Sequence, residues 1–491
     1  MEVICMAVKE KLIEIVGSEN VSDDPKYLEQ CSIDHSLCSP RIPNYVARPQ
    51  TAEEILKIVQ LANETSTPLV PSSSKVHFNG GAIPNLGGIM VDLGRMNKVL
   101  YIDEHNRKAR IEPGVTWSQL QAMLAEKGYM PLFPLLPHAQ KSVLTTHLER
   151  ERILIPKFEF DEPLLTTEVV WPRGEIFRTG AAAAGIGEDT GSVARGAFPH
   201  GPGLDWWRMF QGAQGTFGIL TWANIKIEIL PEVNKAFFMP FDNAGDAIEL
   251  MYRVGRKMLG YEFLLLDQIN LAAILAENGA QDMGQLKDML APWTLILILS
   301  GAPVRPEERI EYEEEALREI ANELSLANIQ TSLAGLPGIE RKIVDMLRSA
   351  WPEDKTYWKW AYKGETQDLF FLTTLDKTPL FVDAITSIAA QYDYPMADVG
   401  CYIQPIESSR ACHCEFNFFY DPEDPLEVVR ITDLYAEAAR AALDLGAFYS
   451  RPYGILADMV YPRATGYTMM LKKTRNVIDP QNIMNPGRLC F

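Results

Sequence analysis

The chain is 491 residues long, more than one hydrophobic core normally organises, so about two or three domains are expected. Its composition, 47% hydrophobic and 23% charged, is that of a globular protein, and a formal net charge of -19 argues against nucleic acid and anionic lipid as partners. The seven cysteines are scattered and include no CxxC pair, which fits a reduced cytoplasm and supplies neither a zinc nor an iron–sulfur ligand set; any such cluster must sit on another chain.

The opening "MEVICMAVKEKLIEIVG" mixes charges through its apolar residues and predicts an amphipathic helix, not a signal peptide. "TAEEILKIVQLANETST" predicts a helix capped by Thr51, with Glu53 and Glu54 in its first turn and Ile55, Ile58, Val59 and Ala62 on one face. "PLVPSS" reads as a strand end. "GGIMVDL", "KVLYID" and "KARIEPGV" follow as short β-rich runs. "TWSQLQAMLAEKGY" is a second capped helix, closed by Gly128. "TTEVVWPRGEIFRTG" predicts a hairpin turning at Pro172, Arg173 and Gly174. "GAAAAGIGEDTGSVARGAFPHGPG" is a long Gly/Ala-rich loop, of the kind that is functional or disordered. "TFGILTWANIKIEILP" reads as a strand pair. After Pro231 longer helices alternate with strands such as "TLILILSG", "CYIQPI" and "HCEFNFFYD", so a domain boundary is expected there. The acidic "PEERIEYEEEALREIANEL" fits a solvated helix face. There are no internal repeats. The longest apolar run, "WTLILILSG", is far short of the roughly 20 residues that span a bilayer.

Small residues gather at residues 72–81, 142–147 and 210–221. Such stretches leave backbone N–H groups free to bind phosphate oxygens, and glycine admits a ligand close to the backbone. One of them alone could be an empty turn. Three together fit an extended dinucleotide, yet no GxGxxG opens a helix and no GxxxxGK[ST] occurs, so neither a Rossmann site nor a P-loop explains them.

The stretches "RPQTAEEI", "VPSSSKVHFNGGAIP", "GGIMVDLGRMNKVLYID", "IEPGVTWSQLQ", "EVVWPRGEIFRTG", "FQGAQGTFGILT" and "DPQNIMNPGRLCF" are similar, in order and spacing, to the flavoproteins of the vanillyl-alcohol oxidase and p-cresol methylhydroxylase type. That group includes glycolate oxidase and D-lactate dehydrogenase flavin subunits. The resemblance implies an α+β fold, with a two-lobed FAD-binding domain and an antiparallel-sheet cap domain with helices. It implies a helical extension at residues 1–41, the FAD domain at 42–232, the cap at 233–445 and a return to the FAD domain at 446–491. It further implies that Ser72, Ser73, Ser74, Lys75, Val76, His77, Asn79 and Gly80 wrap the FAD pyrophosphate, serine hydroxyls and Lys75 standing where the family often has glycines. Ser142, Thr145 and Thr146 would lie along the pyrophosphate and flavin. Gly215, Gly218 and Ile219 would shape the adenine side, and Asn485 belongs to the terminal "NPG". His77 is read as a phosphate or ring contact to a non-covalent FAD, with covalent attachment at the flavin 8α-methyl as the alternative.

The cap departs from the metal-dependent hydroxyacid dehydrogenases of the family. Of the expected ligands only His413 is present, and one histidine cannot build a site, so no catalytic metal is expected. Cys412 and Cys414 flank His413 but on a strand must face the other way. His413 is either an acid/base or substrate ligand, or a satisfied core residue. "YSRPYG" resembles the arginine-bearing stretch of the phenol-oxidising members; it places Arg451 by the flavin N1–C2 edge, where reduction builds negative charge. The phenolate-gripping tyrosine is replaced by Ser450, which speaks against a 4-hydroxybenzyl substrate. Glu159, Tyr402, Arg410 and Tyr453 complete the candidates. Two functions follow. One is an FAD-dependent dehydrogenase taking hydride from a C–H next to oxygen, in a small hydroxy acid or a benzylic or allylic alcohol. Its electrons would pass to an iron–sulfur protein, cytochrome or electron-transfer flavoprotein. The other is an electron-transfer or scaffold subunit with a vestigial pocket. A cytoplasmic protein is expected, with a homodimer as its candidate assembly.

Overall fold

The computed structural model describes residues 2–155, 162–183, 196–301, 303–326 and 328–491. Three sheets carry the fold. The first holds β1 (Val21–Ser22), β2 (Tyr45–Ala47), β3 (Leu69–Ser72) and β4 (Ile89–Asp92) in the order β1-β2-β4-β3, with β2, β4 and β3 parallel. The second holds β5 (Val99–Asp103), β6 (Lys108–Ile111), β7 (Tyr129–Pro131), β8 (Leu164–Val170), β9 (Ile176–Arg178) and β10 (Ile219–Ile229), all antiparallel pairs. The third follows immediately in the chain: β11 (Asn234–Phe241), β12 (Phe263–Asp267), β13 (Trp293–Ser300), β14 (Glu365–Thr373), β15 (Val399–Ile406) and β16 (Ala411–Tyr420), in the order β11-β13-β12-β15-β16-β14.

Local chemistry sets the first lobe. Thr51 Oγ1 accepts from Glu54 N at 3.2 Å and starts the helix Ala52–Thr65; Ser66 ends it in a left-handed conformation. Its buried face, Ile55, Ile58, Val59, Leu61 and Ala62, packs with Leu69, Ile89 and Val91 of the parallel strands. The N-terminal helix Glu2–Val16 adds Val8, Leu12 and Val16, spaced one turn apart, to the same core. The C-terminal segment returns to this lobe: Leu69 N donates to Ile483 O and Asn485 N to Leu69 O, each at 2.7 Å.

The predicted hairpin is β8 and β9. Two expectations are corrected. "TFGILTWANIKIEILP" forms one 11-residue strand, β10, because no turn former interrupts its apolar alternation. Residues 143–148 form a short helix, Val143–Leu148, with Ser142 as its cap, where an open loop was expected. Part of the long Gly/Ala-rich loop lies outside the described residues.

In the third sheet the central strands β12 and β13 are buried on both faces, so they read as continuous apolar runs. One face packs under the helices Ala244–Arg256, Pro306–Glu323, Thr378–Gln391 and Pro425–Asp444. β16 shows the alternation that places chemistry on the other face. Cys412, Cys414, Phe416 and Phe418 point into that helix-covered core, leaving His413, Glu415 and Asn417 facing away from it.

Candidate active site

A cavity of about 810 Å³ lies within the first two sheets' loops. Pro71, Ser73, His77 and Gly81 line it from the turn after β3, Thr145 and Leu148 from the short helix, and residues 213–220 from the approach to β10. Tyr453 reaches in from the C-terminal segment. Gly215 has φ +73°, and a Cβ there would stand 2.5 Å from Pro71 Cγ. At Gly218 a Cβ would stand 2.8 Å from Val170 O. Both positions need glycine so that this loop can lie against β3 and β8. Tyr453 OH is buried without a hydrogen-bond partner, and burial, then Glu149, raises its pKa. A neutral phenol left without a partner in the wall of a cavity lined by small residues fits a polar ligand such as FAD.

The turn after β3 divides its hydroxyls. Ser73 Oγ contacts Thr145 Oγ1 and both residues line the cavity. Ser72 Oγ is taken by Ser74 O at 3.2 Å and His77 Nε2 at 3.0 Å, and Ser74 Oγ by Val76 O at 3.2 Å. Burial lowers the His77 pKa, with Asp34 opposing, so the ring is neutral. Gly80 N donates to Asp34 Oδ2 at 2.6 Å. Val76 is buried, and neither it nor Lys75 lines the cavity; Lys75 is exposed, on the side of Cys31. The expected charge balance by Lys75 is thus not seen. Ser142 and Thr146 are structural: Ser142 Oγ donates to Pro113 O and accepts from Thr145 N, and Thr146 Oγ1 accepts from Trp117 Nε1 at 3.0 Å. Asn485 staples two loops, its Nδ2 donating to Gly81 O at 2.9 Å and Gln214 O at 2.7 Å. Ile219 lines the cavity and starts β10.

A second cavity, of about 620 Å³, opens under the third sheet. Asn79 and Phe78 reach it from the same turn, and Arg451 from the C-terminal segment. Its floor is a chain of ionisable groups, buried at His413 and Glu415 and partly exposed at Lys359 and Asp368. Lys359 Nζ bridges Asp368 and Glu415, the latter at 2.6 Å. Asn417 Nδ2 donates to Asp368 Oδ1 at 2.6 Å and Glu415 Oε1 at 2.9 Å. Glu415 Oε2 lies 3.1 Å from both Tyr402 OH and His413 Nε2, which are 3.1 Å from each other. Burial works against the Glu415 charge, but Lys359 and then His413 hold its pKa well below the usual carboxylate range. Burial pushes Asp368 up to about 6 despite Lys359. Burial lowers the His413 pKa, with Glu415 opposing, so the imidazole is neutral near pH 7.

Arg451 is 6% exposed. Its Nη1 donates to Glu149 O at 3.0 Å, and its Cζ lies 4.0 Å from the centroid of the Phe370 ring. Among the described residues no carboxylate forms an ion pair with it. Lys141, by contrast, bridges Glu149 and Glu151. The walls are Phe78, Tyr357, Trp358 and Phe370, with His138, whose pKa burial lowers to about 4.

The structure therefore brings together Tyr402, His413 and Arg451 in this cavity, and Tyr453 beside it. It does not bring Arg410, which sits in the exposed turn between β15 and β16. Glu159 lies outside the described residues. Lys359, Asp368 and Glu415 were missed; the one available signal was Glu415, which shares a strand face with His413 two residues away. Among the described residues no cluster of three or more His, Cys, Asp or Glu side chains could hold a metal ion; an ammonium, Lys359, stands between the two carboxylates.

Residues 43–143 match the FAD binding domain family, and residues 230–489 match the FAD linked oxidases, C-terminal domain. The chain is 26% identical to glycolate oxidase subunit GlcD of Bacillus subtilis, over 98% of this chain and 96% of that one. It is 23% identical to the 4-cresol dehydrogenase [hydroxylating] flavoprotein subunit of Pseudomonas putida, covering 91% and 87% of the two chains. The crystal structure of p-cresol methylhydroxylase with substrate bound superposes with a TM-score of 0.83, at 20% identity, over 100% of this chain and 98% of that one, which shows the fold.

Proposed function

We propose that this chain, which belongs to the FAD-linked oxidases, is a dehydrogenase that takes hydride from a C–H next to oxygen in a benzylic or allylic alcohol and passes the electrons to a partner protein. The cofactor is FAD. Ser73, Thr145, Gln214 and Tyr453 are the polar side chains of the first cavity that would hold it. When bound, FAD supplies the two-electron acceptor.

The observation that carries the reading is Arg451, a buried guanidinium in the cavity of His413, whose neighbour Tyr453 lines the cofactor cavity. Two residues along one segment thus link cofactor and substrate spaces. Arg451 would stabilise the negative charge that the acceptor gains as it takes hydride from the substrate. His413 takes the hydroxyl proton. With Nε2–H donated to Glu415, Nδ1 keeps the basic lone pair, and Glu415 stabilises the imidazolium that forms. Lys359 and Asn417 hold Glu415 in place. The aromatic walls favour a flat substrate. Arg152 and Arg451 in the same cavity favour a small 2-hydroxy acid as the second reading.

The test is product formation. The FAD-loaded protein is incubated with benzylic alcohols, allylic alcohols and 2-hydroxy acids and an artificial electron acceptor. An aldehyde or ketone is expected from the first two classes, a 2-keto acid from the third. No product from any of them would favour the alternative, an electron-transfer or scaffold subunit of a larger redox complex.

A further inference from the structure

The C-terminal segment at residues 450–453 and the segment at residues 149–152 are tied together by the Arg451 to Glu149 hydrogen bond. Their side chains divide between two sides, Arg152 falling with Glu151 on the substrate side. Glu149, Glu151, Arg451 and Tyr453 line the cofactor and substrate cavities. Arg150, Ser450 and Pro452 line a different cavity, which opens to solvent beside the helix Thr465–Ile478. One thickness of backbone separates the two spaces.

Gln211 lines this cavity, is 5% exposed, and has a partner for neither Oε1 nor Nε2. A buried amide with both ends unmet is unfavourable and rare unless something arrives to meet it. Arg150 Nε is buried in the same cavity and is also unmet. Among the described residues no carboxylate lies within ion-pair distance of Arg150; Glu162, which Arg208 reaches at 3.7 Å, acts on Arg150 only through its charge from farther away. Arg150 lies against Gly212, where a Cβ would stand 3.9 Å from its Cζ, so the guanidinium has a backbone shelf. Trp206, Tyr461 and Tyr467 add aromatic surface to the same walls. A guanidinium and an amide together match the two oxygens of a carboxylate, and the rings match a flat apolar body.

We infer that this cavity binds a small aromatic carboxylate, with Arg150 and Gln211 holding the carboxylate and Trp206 and Tyr467 flanking the ring. Binding there fixes the backbone of residues 150 and 452, on which Glu149 and Arg451 depend. Gln214 extends that link, since its Nε2 donates to Pro452 O at 2.8 Å and its side chain lines the cofactor cavity.

Benzoate is the probe. Its binding to the FAD-loaded protein is measured by calorimetry in the wild type and in Arg150→Met, Gln211→Leu and Arg451→Met, with FAD content checking that each variant is folded. Saturable binding is expected in the wild type. It should weaken on the order of tenfold or more in Arg150→Met and in Gln211→Leu, because each loses a hydrogen-bonded contact to the anion. It should persist in Arg451→Met. No binding at millimolar benzoate would overturn the inference. So would binding that is lost in Arg451→Met but unchanged in Gln211→Leu, which would place benzoate in the substrate cavity.

Discussion

Arg451 is buried, stacked on Phe370 and unpaired with any described carboxylate, an arrangement that is unfavourable until negative charge arrives. Arg451→Met should slow substrate oxidation by about 30- to 1000-fold, the equivalent of roughly 2–4 kcal/mol in the transition state, and lower the flavin reduction potential while FAD content is kept. Arg451→Lys should recover only part of the rate, since an ammonium lacks the planar fork. Rapid-mixing kinetics and a potential measurement check both, and full activity in the methionine variant would make the residue structural. His413 gives a pH signature. Its pKa lies below the usual histidine value through burial, so the base is neutral over most of the physiological range. Activity should hold as pH falls through about 6.5 and drop only below it. Glu415→Gln removes the counter-charge to the imidazolium and should slow the reaction on the order of 100-fold, as loss of general-base support does. An unchanged rate would exclude the His413–Glu415 pair from proton transfer. Arg451 was legible from its short motif; the Glu415 partnership was not, because its meaning depends on Lys359 and Asp368, distant in sequence.

At the scale of elements, the junction of β12 and the helix Gln268–Leu275 carries a buried carboxyl. Asp267 ends the strand and caps the helix, accepting from Asn270 N at 3.0 Å. Burial raises its pKa to about 8. The folded state therefore holds this proton more tightly than the unfolded chain does. The stability so gained is fully present below the unfolded value of about 3.9 and is lost as pH rises through about 8. Thermal melting should fall from about pH 6 to about pH 9 in the wild type. Asp267→Asn keeps the cap oxygen but cannot ionise, so its melting should be flat over that range. A parallel fall in both proteins would locate the effect elsewhere. Elements with local rules were readable in advance: the Thr51 cap, the β8–β9 hairpin, the alternation of β16. The short helix Val143–Leu148 was not: its Ser142 cap on Thr145 N is local, but the bonds that anchor it, Ser142 to Pro113 and Trp117 to Thr146, are contacts that sequence spacing does not reveal.

For the whole molecule, the loops that line the first cavity were legible because they keep their order along the chain. Which hydroxyls remain for the cofactor was not legible, since Ser72 and Ser74 are taken up within their own turn and Lys75 turns outward. His77 bonds Ser72, which leaves it a neutral ring packed beside the cavity. The flavin should therefore be released when the protein is precipitated with acid; flavin that stays in the pellet of the wild type but not of His77→Ala would show covalent attachment. The larger claim is that the two cavities form one redox site, joined at Arg451 and Tyr453. It is tested most directly by titrating the purified, FAD-loaded protein with a benzylic alcohol in the absence of oxygen while following the flavin absorbance. A yellow protein with one FAD per chain is expected, its absorbance bleaching as substrate is added. A flavin that dithionite bleaches but that no benzylic or allylic alcohol and no 2-hydroxy acid reduces would contradict it.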